Sequence, residues 1–152
     1  MAKFRVKLIF EEILGTDSPP GNQGSTQFYR DSNGQPAIAV PQIMGCLNEA
    51  AERLNLRVPV AVRVLSNEKR IAISGKLEVE SRKRRFRGRD GTQRVRFVRS
   101  EIIRNALVQF EVETDDPDNL PALFEYAGKF IGMGQWRKAG HGRFTAEVTR
   151  ID

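Results

Sequence analysis

The sequence has one cysteine, Cys46, one histidine, His141, and no long run of apolar residues. A single cysteine cannot form an internal disulfide, and one cysteine with one histidine cannot supply the ligands of a structural zinc site. No segment approaches the roughly 20 apolar residues that a membrane-spanning helix needs. The first residues, MAKFRVKLIFEEI, alternate between apolar and charged side chains, unlike the apolar block of a signal peptide. We therefore expect a cytoplasmic protein with no bound metal, no cofactor and no membrane partner.

Positive charge is concentrated in one segment of the chain. The 152 residues include 25 Lys and Arg against 19 Asp and Glu, a formal net charge of +6. Residues 82–99 alone carry nine basic residues and one acid, a net charge of +8, so the remaining residues sum to −2. The basic residues of this segment are Arg82, Lys83, Arg84, Arg85, Arg87, Arg89, Arg94, Arg96 and Arg99. Such an asymmetry is typical of a surface that binds a polyanion.

The spacing of apolar residues predicts a sheet and two helices. Residues 3–14 alternate with a period of two, as in a half-buried strand, and apolar residues after Pro41 recur every three or four positions, as in an amphipathic helix. Further strands are predicted over residues 58–65, 70–80, 106–114 and 143–151, and a second helix over residues 120–131. The basic segment has turn residues near Gly88 and predicts a β-hairpin. This order predicts an α+β fold, a ferredoxin-like or RRM-like antiparallel sheet with two helices on one face. We expect a single domain of residues 1–152 with the basic hairpin inserted at residues 82–99.

A glycine-rich segment, GMGQWRKAGHG at residues 132–142, lies between the second helix and the last strand. It has two Gly-x-Gly pairs around five residues that include two cations, and glycine allows a ligand to approach the backbone closely. Exposed N–H groups beside cations can hold phosphate, so the segment predicts a phosphate-binding loop. The alternative is a flexible connection between helix and strand. The expected ligand-binding residues are Gly132, Gly134, Arg137, Lys138, Gly140, His141, Gly142 and Arg143.

This segment resembles the glycine-rich loop of the RAMP superfamily, the CRISPR-associated, ferredoxin-like RNA-binding proteins. A second segment, PQIMGCL at residues 41–47, is similar to the one that opens the first helix of backbone-type RAMP subunits, and the Ile-Leu-Gly at residues 13–15 fits the same layout. Met44 stands where those helices usually carry a lysine, and His141 occupies a normally hydrophobic position of the loop. The resemblance implies a minimal backbone-type member, encoded by a phage or a mobile element, whose basic hairpin corresponds to an inserted thumb.

The basic hairpin and the glycine-rich loop together predict a non-catalytic protein that binds RNA or single-stranded DNA. Arginine guanidinium groups suit phosphates, and Phe86 and Phe97 suit stacking on unpaired bases. No recognition helix for duplex DNA is evident. We expect the strand to lie across the sheet, and copies of the chain to associate along it or within a larger ribonucleoprotein. The alternative is a solvated charged hairpin without a ligand.

Three other functions stay open from the sequence. His141 is a candidate general base for metal-independent RNA cleavage, beside Arg143 and Lys138, which would disfavour its charged form. The RNA-processing RAMP members, however, usually carry their catalytic histidine near the first helix. Asp17 and Asp31 lie in the long loop after the first strand, where some backbone-type members carry the carboxylate of a metal-dependent RNA nuclease. The chain is also a candidate protein-interaction module that mimics a RAMP subunit.

Three further side chains lie near these segments. Trp136 and Phe144 flank the glycine-rich loop, and each is expected either to stack on a base or to cap the core. Cys46 lies beside the apolar stripe of the first helix and is expected to be a small buried hydrophobe.

Overall fold

The computed structural model describes residues 1–18 and 25–152. In chain order its elements are β1 (Ala2–Leu14), β2 (Tyr29–Arg30), β3 (Pro36–Ala39), α1 (Val40–Arg53), β4 (Val62–Leu65), β5 (Arg70–Ala72), β6 (Ser74–Arg87), β7 (Gln93–Thr114), α2 (Leu120–Tyr126) and β8 (Phe144–Arg150). None of the helices in these residues is long and apolar enough to cross a membrane.

β1 lies at the centre of the main sheet. It pairs with β7 on one side and with β8 on the other, and both pairings are antiparallel. β4 pairs with the last residues of β7 and β6 with its first part, so both lie along the second edge of β7. The order β4-β7-β1-β8, with a helix after β3 and another after β7, is consistent with a ferredoxin-like fold. A small second sheet has the order β2-β3-β5.

The helices and the main sheet share one hydrophobic core. Alternate residues of β1 enter this core because successive side chains of a strand face opposite sides. They meet the apolar stripe of α1 and the first residues of α2. The buried residues include Phe4, Val6, Leu8 and Phe10 from β1, Ile43, Cys46, Leu47, Ala50 and Ala51 from α1, and Leu120, Leu123 and Phe124 from α2. The predicted antiparallel sheet with two helices is confirmed.

β6 and β7 continue past the end of β1 as a two-stranded hairpin. Their pairing runs from Ser74↔Leu107 to Arg87↔Gln93, whereas β1 pairs with β7 only as far as Ile102. Residues 88–92 close the turn. The predicted turn is confirmed, and both arms are continuous with the main sheet, where β6 pairs with β7 and β7 pairs with β1.

Two predicted strands differ from those observed. The strand expected over residues 58–65 is confined to β4, and Val58 precedes a proline joined by a cis peptide bond. The strand expected over residues 70–80 is divided, because β5 joins the small sheet and β6 joins β7.

The second helix also differs from its prediction. It is α-helical over Leu120–Tyr126 and continues as a π-helical turn, Ala127–Ile131. Gly128 lets this turn approach β8, since a Cβ atom at Gly128 would lie 2.1 Å from the carbonyl oxygen of Phe144. Phe144 itself is buried and contacts Phe10, with 5.2 Å between ring centroids. Phe144 was expected either to stack on a base or to cap the core, and the structure shows the second role.

Gly128→Ala is expected to destabilise the protein, because the added Cβ would collide with the backbone of Phe144. Gly45→Ala is the matched control, since Gly45 lies in α1 and an added Cβ there meets no atom within 4 Å. The control should raise the free energy of unfolding by about 0.5–1 kcal/mol, because alanine loses less backbone entropy than glycine in a helix. Urea unfolding followed by circular dichroism measures both changes, and equal stabilities would contradict the close contact at Gly128.

Candidate nucleic-acid interface

The basic hairpin has two faces with different neighbours. Residues directly opposite each other in the β6–β7 pairing share a face. One face, called the loop face here, carries Arg82, Phe86, Arg94 and Arg96. The other, called the reverse face, carries Lys83, Arg85, Arg87, Phe97 and Arg99. Phe86 and Phe97 therefore lie on opposite sides of the hairpin, so bases on one side cannot stack on both rings.

Most cations of the hairpin have no anionic partner. In the described part of the chain, no ion pair involves Lys83, Arg85, Arg87, Arg89, Arg94, Arg96 or Arg99. The charged groups of Lys83 and Arg96 lie over the rings of Phe97 and Phe86 respectively, each 5.7 Å from the ring centroid. The side chain of Arg84 lies outside the described structure. Among the described side chains of the hairpin, only Arg82 has a carboxylate partner, so the hairpin is a positive surface with little internal neutralisation.

Arg82 connects the hairpin to the glycine-rich loop. Its guanidinium group lies 4.2 Å from the centroid of the Trp136 ring and 2.8 Å from the carboxylate of Glu80. The hydrogen bond from Arg82 is the main cause that holds the pKa of Glu80 below its usual value, so this carboxylate stays ionised. Trp136, half-buried in the loop, therefore contacts the base of the hairpin. The sequence predicted that this ring would either stack on a base or cap the core, and the contact with Arg82 was not predicted.

Two glycines of the loop are required by its backbone packing. Gly142 has a φ of 77°, and an added Cβ would lie 1.7 Å from the carbonyl oxygen of Met133. The Met133 N–H donates to the Gly142 carbonyl at 2.9 Å, which closes the loop. Gly134 lies against the end of β1, where an added Cβ would lie 2.4 Å from the carbonyl oxygen of Leu14. These glycines hold the loop against itself and against β1.

Many backbone donors of the loop already bind within the protein. The N–H groups of Gly132, Met133, Gln135, Ala139, Gly140 and His141 each donate to a backbone carbonyl group. They cannot form the expected phosphate cradle without losing these bonds. Of the groups expected to bind phosphate, the cationic side chains are the ones that remain as candidates. Lys138 is exposed. The guanidinium group of Arg137 lies 3.4 Å from the carboxylate of Glu49, and the guanidinium group of Arg143 donates to the Arg137 carbonyl at 3.3 Å.

A cleft of about 660 Å³ separates α1 from the glycine-rich loop. Its lining includes Gln42, Cys46 and Glu49 from α1, opposite residues 132–138. Cys46 is 2% exposed, and its Sγ donates to the carbonyl oxygen of Gly132 at 3.3 Å. Burial raises the pKa of this thiol to about 12. The prediction that Cys46 is a small buried hydrophobe is confirmed, and Cys46 also ties α1 to the loop.

His141 lies beside a carboxylate. Its Nδ1 contacts Oε1 of Glu12, at the end of β1, and its ring meets Trp136 edge-on with 6.0 Å between ring centroids. The sequence placed His141 beside the cations Arg143 and Lys138, and the structure shows that the side chain in contact with its ring nitrogen is instead a carboxylate, that of Glu12. A carboxylate at Nδ1 orients the imidazole and leaves Nε2 for another partner.

The two candidate acids after β1, Asp17 and Asp31, form hydrogen bonds with nearby loop residues. Asp17 exchanges two backbone hydrogen bonds with Gln27, and Oδ1 of Asp31 accepts the N–H groups of Asn33 and Gln35 at 2.9 Å. Residues 19–24 of this loop lie outside the described residues. Within residues 1–18 and 25–152, no group of three or more His, Cys, Asp or Glu side chains is arranged to hold a metal ion.

The face of the main sheet that is opposite the helices carries paired charges. Its ion pairs are Arg5–Glu111, Lys7–Glu147 and Arg63–Glu113. Among the strand residues that the structure describes on this face, none is aromatic. RNA-binding sheets of the RRM type stack bases on aromatic rings, so this face lacks the platform that the expected path across the sheet requires.

Three acids of this interface, Glu12, Glu49 and Glu80, were not predicted from the sequence. They pair with His141, Arg137 and Arg82 respectively. Glu12 and His141 are 129 positions apart, so no local pattern connects them. Only the pair of Glu80 and Arg82 has a local signal, because residues two apart in a strand lie on the same face.

Cys46 is expected to resist thiol reagents in the folded protein, because it is buried and its pKa of about 12 leaves almost no thiolate at pH 8. Labelling with iodoacetamide at pH 8, followed by mass spectrometry, should show little modification in buffer and complete modification in 8 M urea. Rapid labelling in buffer would mean that the glycine-rich loop opens away from α1.

Comparisons with known proteins support the fold. No protein-family model matches the chain, and no curated protein matches it. The structure is similar to a chain in the cryo-EM structure of a Type III-B Cmr-β complex bound to cognate target RNA, with a TM-score of 0.64 and 13% sequence identity over 98% of this chain. It spans 61% of that Cmr-β chain. It is also similar to a chain of a Type IV-B CRISPR complex, with a TM-score of 0.59 and 13% identity over 97% of this chain and 90% of that one. The protein therefore has a fold that occurs in subunits of CRISPR complexes.

Proposed function

We propose that the protein is a non-catalytic RNA-binding or single-stranded nucleic-acid-binding subunit, in which the basic hairpin and the glycine-rich loop form one surface. The observation that carries this proposal is the contact between Arg82 and Trp136, because it joins the two segments that the sequence singled out separately. The hairpin cations next to this contact have no anionic partner in the described structure, so a polyanion is the partner that would neutralise them.

The path of the nucleic acid follows the hairpin and the loop. The helix-free face of the sheet carries ion pairs and no aromatic platform among its described residues, whereas the loop face of the hairpin carries Phe86 between arginines. Lys138 and Arg143 extend the positive surface onto the loop. We therefore place the phosphates along these side chains instead of on backbone N–H groups.

Assembly along the strand is part of the proposal. One similar structure is Type III-B Cmr-β bound to its cognate target RNA and the other is a Type IV-B CRISPR complex, which supports a role for this chain in a ribonucleoprotein. We propose that residues 1–152 act as one RAMP-like domain in the cytoplasm and that copies associate head to tail, since a heterologous contact that does not close extends along a strand.

The salt dependence of binding tests the hairpin. Arg85, Arg87, Arg89 and Arg94 are exposed and have no ion pair in the described structure, so replacing all four with Gln should remove phosphate contacts. The slope of log K against log salt for single-stranded RNA should become shallower by up to about 2.8, since each phosphate contact contributes about 0.7. Fluorescence anisotropy over a range of salt concentrations measures this slope.

A variant with the same loss of charge is the control. Arg5, Arg53, Arg57 and Arg63 each form an ion pair elsewhere on the protein. Replacing these four with Gln should change the slope much less, because their charges are already neutralised. Equal effects of the two variants would mean that net charge alone drives binding. No affinity of the unmodified protein for RNA or single-stranded DNA at low salt would overturn the proposal and assign the hairpin to a protein partner.

A second candidate function is RNA cleavage by His141, and the contact between His141 and Glu12 favours it. Glu12 would orient the imidazole so that Nε2 accepts the proton of a ribose 2′-hydroxyl group. The 2′-oxygen would then bond to the adjacent phosphorus, and the 5′-oxygen would leave with a proton from water. The products would be a 2′,3′-cyclic phosphate and a 5′-hydroxyl end.

His141→Ala is expected to abolish this cleavage and to change the affinity for RNA by less than about twofold, because one side chain contributes little to an interface of many phosphate contacts. Gel analysis of end-labelled RNA measures the cleavage, and a strand with a single 2′-deoxy position should resist cutting there. If the unmodified protein leaves RNA intact, or if His141→Ala still cuts it, this candidate is rejected.

A further inference from the structure

The tip of the basic hairpin contains a pocket that is separate from the glycine-rich loop. It has a volume of about 410 Å³ and is lined by Phe86, Arg87, Gly88, Arg89, Asp90, Arg94 and Arg96. Phe86 is the only aromatic residue among them, and Arg94 lies directly opposite it in the strand pairing. The pocket therefore combines one aromatic ring with four guanidinium groups.

The one acid of this pocket is committed to the turn. Oδ1 of Asp90 accepts the N–H of Thr92 at 3.0 Å and its hydroxyl at 2.5 Å, and the Gly88 N–H donates to the Thr92 carbonyl at 2.8 Å. These bonds close the loop and occupy the carboxylate, so Asp90 forms no ion pair with the arginines in the described structure. The arginines of the pocket are consequently available for an external anion.

An aromatic ring among arginines matches one class of ligand. A nucleotide base has a π-face that stacks on a ring, and its flanking phosphates accept hydrogen bonds from guanidinium groups. The Arg96 guanidinium lies over one face of the Phe86 ring, 5.7 Å from its centroid, so the proposed base would stack on the opposite face. An acidic protein would satisfy the arginines but would leave the ring without a specific partner.

The position of the pocket relates it to the loop. Phe86 follows Arg82 by four residues on the loop face, and Arg82 contacts Trp136. Four residues of a strand span about 13 Å. Stacked nucleotides are about 3.4 Å apart along a strand, so roughly four nucleotides separate the two positions.

We propose that the tip pocket binds one base of a single strand by stacking on Phe86, while the same strand reaches the glycine-rich loop. This inference rests on the proposed function and adds a second anchoring point to it. Two linked contacts bind more tightly than either alone once one ligand reaches both. The affinity should therefore rise steeply at one strand length and change little between lengths on either side of it.

A series of oligonucleotides tests this arrangement. Fluorescence anisotropy would compare oligouridine strands of 3 to 12 nucleotides with the full chain at one salt concentration. We expect the association constant, divided by the number of phosphates in the strand, to increase about tenfold between strands of about three and about eight nucleotides. A tenfold increase is about the effect of one stacked base on affinity. Phe86→Leu keeps apolar bulk and strand propensity but removes the ring, so this step should disappear. Phe86→Trp retains a ring, so this variant should keep the step.

Phe97→Leu is the matched control, because it makes the same change on the reverse face of the same hairpin. It should keep the step in affinity. A gradual rise of affinity with length in the unmodified protein, or a step that survives Phe86→Leu, would overturn the tip pocket while the proposed function remains. If Phe97→Leu loses the step in affinity and Phe86→Leu keeps it, the base stacks on the reverse face, and this result would also overturn the tip pocket. Absence of binding at every length would overturn the proposed function itself.

Discussion

The continuous backbone pairing of β7 supports both halves of the molecule. Over its last part this 22-residue strand pairs with β1, and over its first part it pairs with β6 alone. The hairpin is therefore an extension of a strand that is fixed in the core, not a loop attached to the surface. A two-stranded ribbon is marginal by itself in water, and anchoring in a larger sheet compensates for this. The concentrated positive charge depends on this anchoring, because unpaired arginines repel one another.

Contacts at the base of the hairpin connect it to the glycine-rich loop. Arg82 lies between Glu80 and the Trp136 ring, while His141 lies between Glu12 and the same ring. The loop is in turn held to β1 through Gly134 and to α1 through the Cys46 thiol. The loop, α1 and the hairpin thus meet at one end of β1, where the surface proposed to hold phosphates is found.

Much of the fold follows from local sequence, and its exceptions have identifiable causes. The period-two pattern of β1 and the apolar stripe of α1 predict their elements because burial on one side repeats with the geometry of the strand or helix. The predicted second helix becomes a π-helical turn at Ala127–Ile131, where Gly128 lies against Phe144, a residue that is distant in sequence. The division of residues 70–80 between two sheets likewise depends on which strand lies alongside, which no local pattern contains.

By itself the sequence determined the charge of the hairpin, the position of its turn and the presence of glycines in the loop. These are properties of residue type and spacing. Only the tertiary structure decided that Phe86 and Phe97 lie on opposite faces, that His141 contacts a carboxylate, and that loop N–H groups are used internally. The reason is physical: strand register and long-range contacts set which face a side chain occupies and which donors remain available, and both arise from pairing between distant segments.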